Sequence, residues 1–254
     1  MDNKKIVLKV EDLKRHYTVD ITEDEKQTVS VLNGLSFNVE EGEFVGIMGR
    51  SGCGKTTLLK TLGLIARPNG GNIWYRDRKV SDIYGDALAE IRRKELGFVF
   101  QDFYLMDSLS ILENIMMPLI FNEDDIEESK KKAVAMAEKF QVSHLLHKKP
   151  YEVSGGEKQR AAICRTLVAD PSLIFGDEPT GNLDSKSAQV VIEALEQINK
   201  ELEKTIVLVT HDPIIASYCN RIIFLKDGAI MGDIRKTGTK DEFYRSVLEK
   251  MKEL

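Results

Sequence analysis

The stretch Gly49-Arg50-Ser51-Gly52-Cys53-Gly54-Lys55-Thr56-Thr57 constrains this chain more than any other. Glycine, four residues, then Gly-Lys-Ser/Thr is the pattern of a phosphate-binding loop. The apolar run Phe44–Met48 before it reads as a buried strand, and Leu58, Leu59, Leu62 and Leu64 after it suit an amphipathic helix. Glycines let the backbone curl so that successive N–H groups converge on an anion, and the helix adds its positive dipole end. Lys55 is placed to reach β- and γ-phosphates, and the Thr56 hydroxyl to bind Mg²⁺. The flanking strand and helix count against the plain alternative, a glycine-rich turn that holds a lysine.

A length of 254 residues allows one large α/β domain or two modest ones. A net charge of −5 gives no general attraction to nucleic acid. Cys53, Cys164 and Cys219 are scattered without metal-type spacing, which suits a reducing cytosol. Met1–Lys5 lacks a signal-peptide core, and the most apolar segment, Ile115–Phe121, is short and holds Pro118. The expectation is a soluble chain whose membrane role, if any, runs through a partner.

In chain order, strands are expected over Ile6–Val10 and Val29–Val39, with the polar insert Asp20–Gln27 between them as a surface loop. Tyr17 is a candidate for stacking on a nucleotide base, with packing as its plain reading. Arg67–Gly71 reads as a turn, Asn72–Tyr75 as a short strand and Asp86–Lys94 as a helix. Leu96–Phe100 is a strand that ends at Gln101, whose amide oxygen could ligate Mg²⁺ and position water, although most strand-end glutamines do neither. Leu109–Leu146 has helical patterning, with an acidic-then-basic solvated face and Ala133, Val134, Ala137 and Phe140 opposite.

Ser154-Gly155-Gly156-Glu157 reads as a Ser-x-x-Glu capping box opening a helix that runs to about Ala169. The glycine pair also leaves a helix N-terminus open to a second anion. Leu173–Pro179 favours the second reading. A buried apolar strand that ends in Asp177 and Glu178 is a Walker B arrangement, with Asp177 for Mg²⁺ and Glu178 as general base on water. Gly181-Asn182-Leu183-Asp184 starts a turn into a helix over Ser187–Leu202, and the strand Thr205–Thr210 delivers His211 to the side where catalytic groups belong.

Together these residues resemble the nucleotide-binding subunit of an ABC transporter over nearly the whole chain. The resemblance implies an α/β P-loop NTPase (RecA-like) core with an antiparallel β subdomain and an inserted α-helical subdomain. The core and β subdomain would take residues 1–104 and 170–254, and the helical insert residues 105–169. Gly49–Thr57 becomes the P-loop, Gln101 the Q-loop glutamine, and Val153–Glu157 the signature motif, here V-S-G-G-E where L-S-G-G-Q is usual. Asp177 and Glu178 become Walker B, Asp184 the D-loop aspartate, His211 the switch histidine and Tyr17 the base-stacking aromatic. Cys53 stands where serine is common.

The family mechanism that follows is a head-to-tail homodimer closed around two ATP and Mg²⁺. Ser154, Gly155, Gly156 and Glu157 of one subunit complete the site of the other, and hydrolysis reopens the pair.

Phe100–Met106, Glu113-Asn114-Ile115, Pro118-Leu119 and Pro179–Ser185 resemble the MacB/LolD/BceA-like group, and Ala216–Arg221 most resembles its bacitracin-type branch. The partner implied is a MacB/BceB-type, FtsX-like permease, with the chain on the cytoplasmic face of a bacterial plasma membrane. The groove between helical insert and Gln101 would grip a permease helix. The alternative is a regulatory ATPase of a lipoprotein-release or cell-division (FtsE-like) complex. A soluble ABC ATPase acting on DNA or ribosomes is disfavoured by the acidic balance and the single nucleotide-binding unit. Thr239–Leu254 is an amphipathic helix candidate for packing or for a partner contact.

Overall fold

The structure is a computed structural model that describes residues 5–20 and 26–254. Its strands are β1 (Ile6–Asp20), β2 (Lys26–Glu40), β3 (Phe44–Met48), β4 (Gly70–Tyr75), β5 (Arg78–Lys79), β6 (Leu96–Phe100), β7 (Leu173–Asp177), β8 (Thr205–Thr210), β9 (Arg221–Lys226) and β10 (Ala229–Arg235). Its helices are α1 (Lys55–Leu62), α2 (Gly85–Lys94), α3 (Ile111–Phe121), α4 (Ile126–Lys139), α5 (Gly155–Leu167), α6 (Ser185–Leu202), α7 (Pro213–Ala216) and α8 (Lys240–Met251). The chain divides into one unit made of residues up to Leu88 with Thr205–Leu254, and a second made of Ala89–Lys204.

In the first unit β3 lies parallel between β9 and β8, with β10 antiparallel on the outer side of β9. Every residue of β3 and β8 is buried. That is why both read as unbroken apolar runs rather than alternating ones. A second, antiparallel sheet runs in the order β2-β1-β4-β5.

The β1–β2 hairpin is longer than expected. Both strands span 15 residues, and Val19 pairs with Gln27 and Asp20 with Lys26. The ends of the expected polar loop are therefore strand, and residues 21–25 lie outside the described residues. The reason is a bulge. Asp12 adopts φ 49° where the register shifts between Val10 and Leu13, so the interrupted alternation resumes instead of ending the strand.

Asn33 ties this hairpin to the β9–β10 turn, its N–H donating to the Gly228 carbonyl at 2.8 Å and its Nδ2 to the Asp227 carbonyl at 2.8 Å. The C-terminal helix α8 opens on a Thr239–Glu242 capping box and buries Phe243 and Val247, the packing role for that stretch.

In the second unit β6 and β7 pair in parallel, with Phe98 stacked on Phe175. The helical stretch resolves into α3, α4 and a short 3-10 turn at Ser143–Leu145. Ser110 caps α3 in a reciprocal box with Glu113, and Asp125 caps α4. Ala133, Ala137 and Phe140 are buried, while Glu128 and Lys132 pair at 3.2 Å on the solvent side. Fully buried Asn114 donates to the Met106, Leu109 and Ser110 carbonyls and accepts from the Met106 N–H, so it holds the loop before α3.

Candidate functional site

The first unit supplies the phosphate loop. β3 ends at Met48 and α1 begins at Lys55, with Gly54 as its N-cap at φ 103°. A methyl on Gly49 would sit 2.3 Å from the Leu225 carbonyl oxygen and 2.5 Å from Cys53 Sγ, so only glycine fits there. A methyl on Gly54 would meet the Val31 carbonyl oxygen at 2.8 Å, which brings β2 of the antiparallel sheet against the loop. Lys55 is 6% exposed and its ammonium donates to the carbonyls of Gly49 at 2.9 Å and Arg50 at 3.1 Å. The charge is thus held inside the curl, while Arg50, Ser51, Gly52 and Thr56 are exposed and Thr57 is half-buried. Gly63 ends α1, so Leu64, expected as a helix residue, lies beyond it at φ 60° and remains buried.

Tyr17 lies beside this loop. Its hydroxyl hydrogen-bonds with Thr57, and the Arg15 guanidinium lies 4.6 Å from the ring centroid on one face. Burial pushes the phenol up, but hydrogen bonds to Arg15 and Thr57 and the charges of Arg15 and Lys60 outweigh it and leave the group below its usual value. His211 is exposed just past β8, where Met48 registers with Thr210, so the loop and the histidine leave the ends of neighbouring parallel strands. Cys53 is buried within the loop, and desolvation raises its thiol, opposed in part by Lys55.

The second unit supplies the carboxylates. Phe100 registers with Asp177, so Gln101 and Glu178 follow at adjacent strand ends. Glu178 holds φ 46°, a left-handed conformation unusual for this residue type, and its carbonyl accepts from the Gly181 N–H at 2.9 Å. Asp184 caps α6, accepting from the N–H groups of Lys186 and Ser187, and its carboxyl is held below the usual range by the Ser187 hydroxyl first, then by these N–H groups.

Ser154 caps α5, with its N–H and hydroxyl both 2.7 Å from Glu157 Oε2 and its Oγ accepting from the Glu157 N–H. The capping-box reading is therefore met, and the Ser154 bonds hold the Glu157 carboxyl below its usual range. Gly156 is buried, and a methyl there would meet Ser187 Oγ at 2.8 Å, whereas one on Gly155 would find only ordinary contacts at 3.5 Å and beyond.

Two residues absent from the sequence reading of the site belong to this unit. Arg165 on α5 donates to the carbonyls of Phe103, at 2.7 Å, and Tyr104, and so pins two consecutive left-handed residues after Gln101. Asn182 hydrogen-bonds to both Gln101 and Asp102. The left-handed pair had no sequence signal, since neither Phe nor Tyr favours that conformation. Asn182 stood within Pro179–Ser185, but nothing in the spacing said what it would face.

Mg²⁺ takes hard oxygen ligands and is bound by few protein groups together with phosphate and water, and each unit carries side chains of that chemistry. Thr56 offers a hydroxyl, Gln101 an amide oxygen and Asp177 a carboxylate. Among the described residues no three His, Cys, Asp or Glu side chains cluster as a protein-only metal site.

A P-loop between a buried parallel strand and a helix defines a P-loop NTPase of the α/β class. Comparison with known proteins narrows this. The ABC transporter family matches residues 32–181. The chain is 40% identical over 244 residues to the bacitracin export ATP-binding protein BceA of Halalkalibacterium halodurans, covering 96% of this chain and 94% of that protein. It is 44% identical over 207 residues to the macrolide export ATP-binding/permease protein MacB of Bdellovibrio bacteriovorus, covering 82% of this chain and 31% of that longer protein. Among solved structures, the ATP-binding cassette MJ0796, a dimer bound to ADP and Pi, superposes with a TM-score of 0.82 at 37% identity, covering 91% of this chain and all of that one. The chain belongs to the ABC transporter family, in its MacB/BceA-like group, and is an ATP-binding cassette ATPase.

Proposed function

We propose that this chain is the ATPase subunit that powers a MacB/BceB-type permease in resistance to antimicrobial peptides such as bacitracin. The observation that carries this reading is the end-to-end match to a bacitracin export ATP-binding protein, 96% of one chain against 94% of the other. In this reading the P-loop binds ATP, Thr56, Gln101 and Asp177 hold Mg²⁺, and Glu178 takes a proton from the attacking water. His211 and Gln101 sense the γ-phosphate, and Tyr17 offers the ring face away from Arg15 to the base. Ser154, Gly155, Gly156 and Glu157 present the N-terminus of α5 to the ATP of a second subunit, and Asp184 lies at that junction. The dimeric neighbour bound to ADP and Pi supports a pairing of two such subunits.

No described helix is long and apolar enough to cross a membrane; in this reading the membrane step belongs to the permease, on whose cytoplasmic face the chain docks. An open groove of about 560 Å³ in the second unit, lined by Arg92, Phe98, Met117, Phe121 and Arg165 among others, supports docking of a partner helix. Phe121 is 66% exposed at its edge. Residues 105–169 form the helical insert in this scheme.

The test is an affinity pull-down of Glu178→Gln from gently solubilised native membranes. Recovery of a permease with a large extracellular domain, whose complex responds to bacitracin or a lantibiotic, is the expected result. A cell-division-type permease with wall-hydrolase partners would replace the resistance role with a regulatory one. Recovery of no membrane protein while the ATP dimer persists would overturn the transporter reading.

A further inference from the structure

We infer that Gly181 and Asn182 form a seat that fixes which end of the Gln101 side-chain amide faces outward, making Asn182 a positioning residue for Gln101. The geometry forces the orientation through hydrogen-bond chemistry. Asn182 Nδ2 lies 3.0 Å from an Asp102 carboxylate oxygen and 3.3 Å from the Gln101 backbone carbonyl. Both partners only accept, so that end of Asn182 must be its NH₂. Its Oδ1 is thereby turned to the Gln101 side chain, 2.9 Å away, and an acceptor there selects the Gln101 NH₂. The Gln101 carbonyl oxygen is then the end left for a cation or a water.

Gly181 makes the seat possible. A methyl on it would lie 2.9 Å from Gln101 Nε2 and 3.0 Å from Cδ. Gly181 has no left-handed φ, so what a side chain there would disturb is the resting place of the Gln101 amide rather than the backbone conformation. Arg165 grips the carbonyls of Phe103 and Tyr104, and the Gln159 amide donates to the Phe100 carbonyl at 3.2 Å, so the chain on either side of Gln101 is held.

The consequence rests on the reading of Gln101 as a ligand for Mg²⁺ or its water. An amide offers a metal its oxygen and not its nitrogen, so a freely flipping glutamine presents the wrong end part of the time. Asn182 removes that ambiguity before nucleotide arrives. It also links the residue after β6 to the turn that leads to Asp184.

The test begins on nucleotide-free protein labelled with ¹⁵N-glutamine, with the Gln101 side-chain amide pair assigned by its loss in Gln101→Ala. In Asn182→Ala this pair is expected to move to the free-glutamine position and to exchange with solvent ~3- to 10-fold faster, the factor for one exposed hydrogen bond. An unmoved pair overturns the proposal. Asn182→Asp is expected to free the amide as well, because its carboxylate faces Asp102, and adding Asp102→Asn should restore it by supplying a donor. Failure of that rescue in a folded double variant also overturns the proposal.

Mg²⁺ titration of the ATPase separates the two readings. Asn182→Ala should raise the Mg²⁺ concentration for half-maximal rate several-fold with a smaller change in the saturated rate. If Asn182→Ala frees the amide but Gln101→Ala leaves the Mg²⁺ dependence unchanged, the seat stands and the ligand role of Gln101 falls.

Discussion

The phosphate loop of the first unit and the strand-end loops of the second are held in place by different means. The P-loop is held by backbone packing. Gly49 is pressed against the Leu225 carbonyl, Gly54 against that of Val31, and the one charged side chain directed inward, Lys55, is buried. The second unit relies on side-chain hydrogen bonds. Gln101 rests on Asn182, Phe103 and Tyr104 on Arg165, and Ser154 on Glu157, all at part-exposed or exposed positions. Close-packed backbone has one low-energy arrangement. An exposed hydrogen bond contributes about 0.5–1.5 kcal/mol and can be exchanged for another. One region is therefore a fixed receptor, and the other a set of groups able to rearrange when charge arrives or leaves.

The largest separation of the two should come from Glu178→Gln. A positioned general base contributes about 10²- to 10⁴-fold, so phosphate release should fall by that factor while equilibrium ATP binding, owed to the P-loop, stays within about threefold. Hydrolysis within tenfold of the parent would remove Glu178 from the role of base and blur the division.

Next in size is a pair of glycine substitutions. Gly49→Ala forces a methyl into a backbone oxygen and should cost about 1–3 kcal/mol of stability. For a chain of this size that lowers Tm by very roughly 2–4 °C per kcal/mol. Gly155→Ala meets only ordinary contacts and should stay within about 0.5 kcal/mol, although ATPase activity should drop if the α5 N-terminus serves a second subunit. Thermal melts of both variants check this, and equal losses would mean that the loops are equally rigid.

The cysteines sharpen the comparison chemically. Cys53 is buried in the P-loop with a thiol raised by desolvation and partly relieved by Lys55. Cys164, fully buried in α5, is pushed much further up. Alkylation needs thiolate. Cys53 should therefore react with iodoacetamide more slowly than a free cysteine at pH 8, gain rate with each step in pH below its raised pKa, and be shielded by Mg-ATP. Cys164 should be modified only on unfolding. Mass spectrometry of time points gives both rates.

What could be read in advance follows the same division. The P-loop, β3, β6 and β8 were legible because buried parallel strands are unbroken apolar runs and glycine spacing has one steric meaning. The Ser154–Glu157 box was legible because it is local. The hairpin β1–β2 ran past its expected ends because a bulge at Asp12 is invisible to a count of alternation. Asn182 and Arg165 were not legible at all, since their partners lie about 60 to 80 residues away and are mostly backbone carbonyls, which no residue identity announces.

The smallest effect concerns that local box. The Glu157 carboxyl is held below its usual range by the Ser154 N–H and hydroxyl, with Arg160 and His144 adding to it. A carboxyl whose pKa is lower in the folded chain contributes stability above its unfolded value, near 4.3, and loses it as pH falls through the folded value. Glu157→Gln keeps an acceptor oxygen for the Ser154 N–H, so the cap geometry should survive, but the charge at the helix N-terminus is gone. That charge is worth about 0.3–1 kcal/mol. The variant should melt slightly below the parent at pH 7 and converge with it below about pH 4. Glu113 and Glu242 sit in like boxes with like shifts and stay ionisable in both proteins, so they cancel from the difference. At neutral pH the same charge faces any anion brought to α5, so Glu157→Gln should also strengthen ATP-driven dimerisation. A variant that is less stable alone yet pairs more tightly would show that this residue serves the fold of its own unit at the expense of the contact that unit makes.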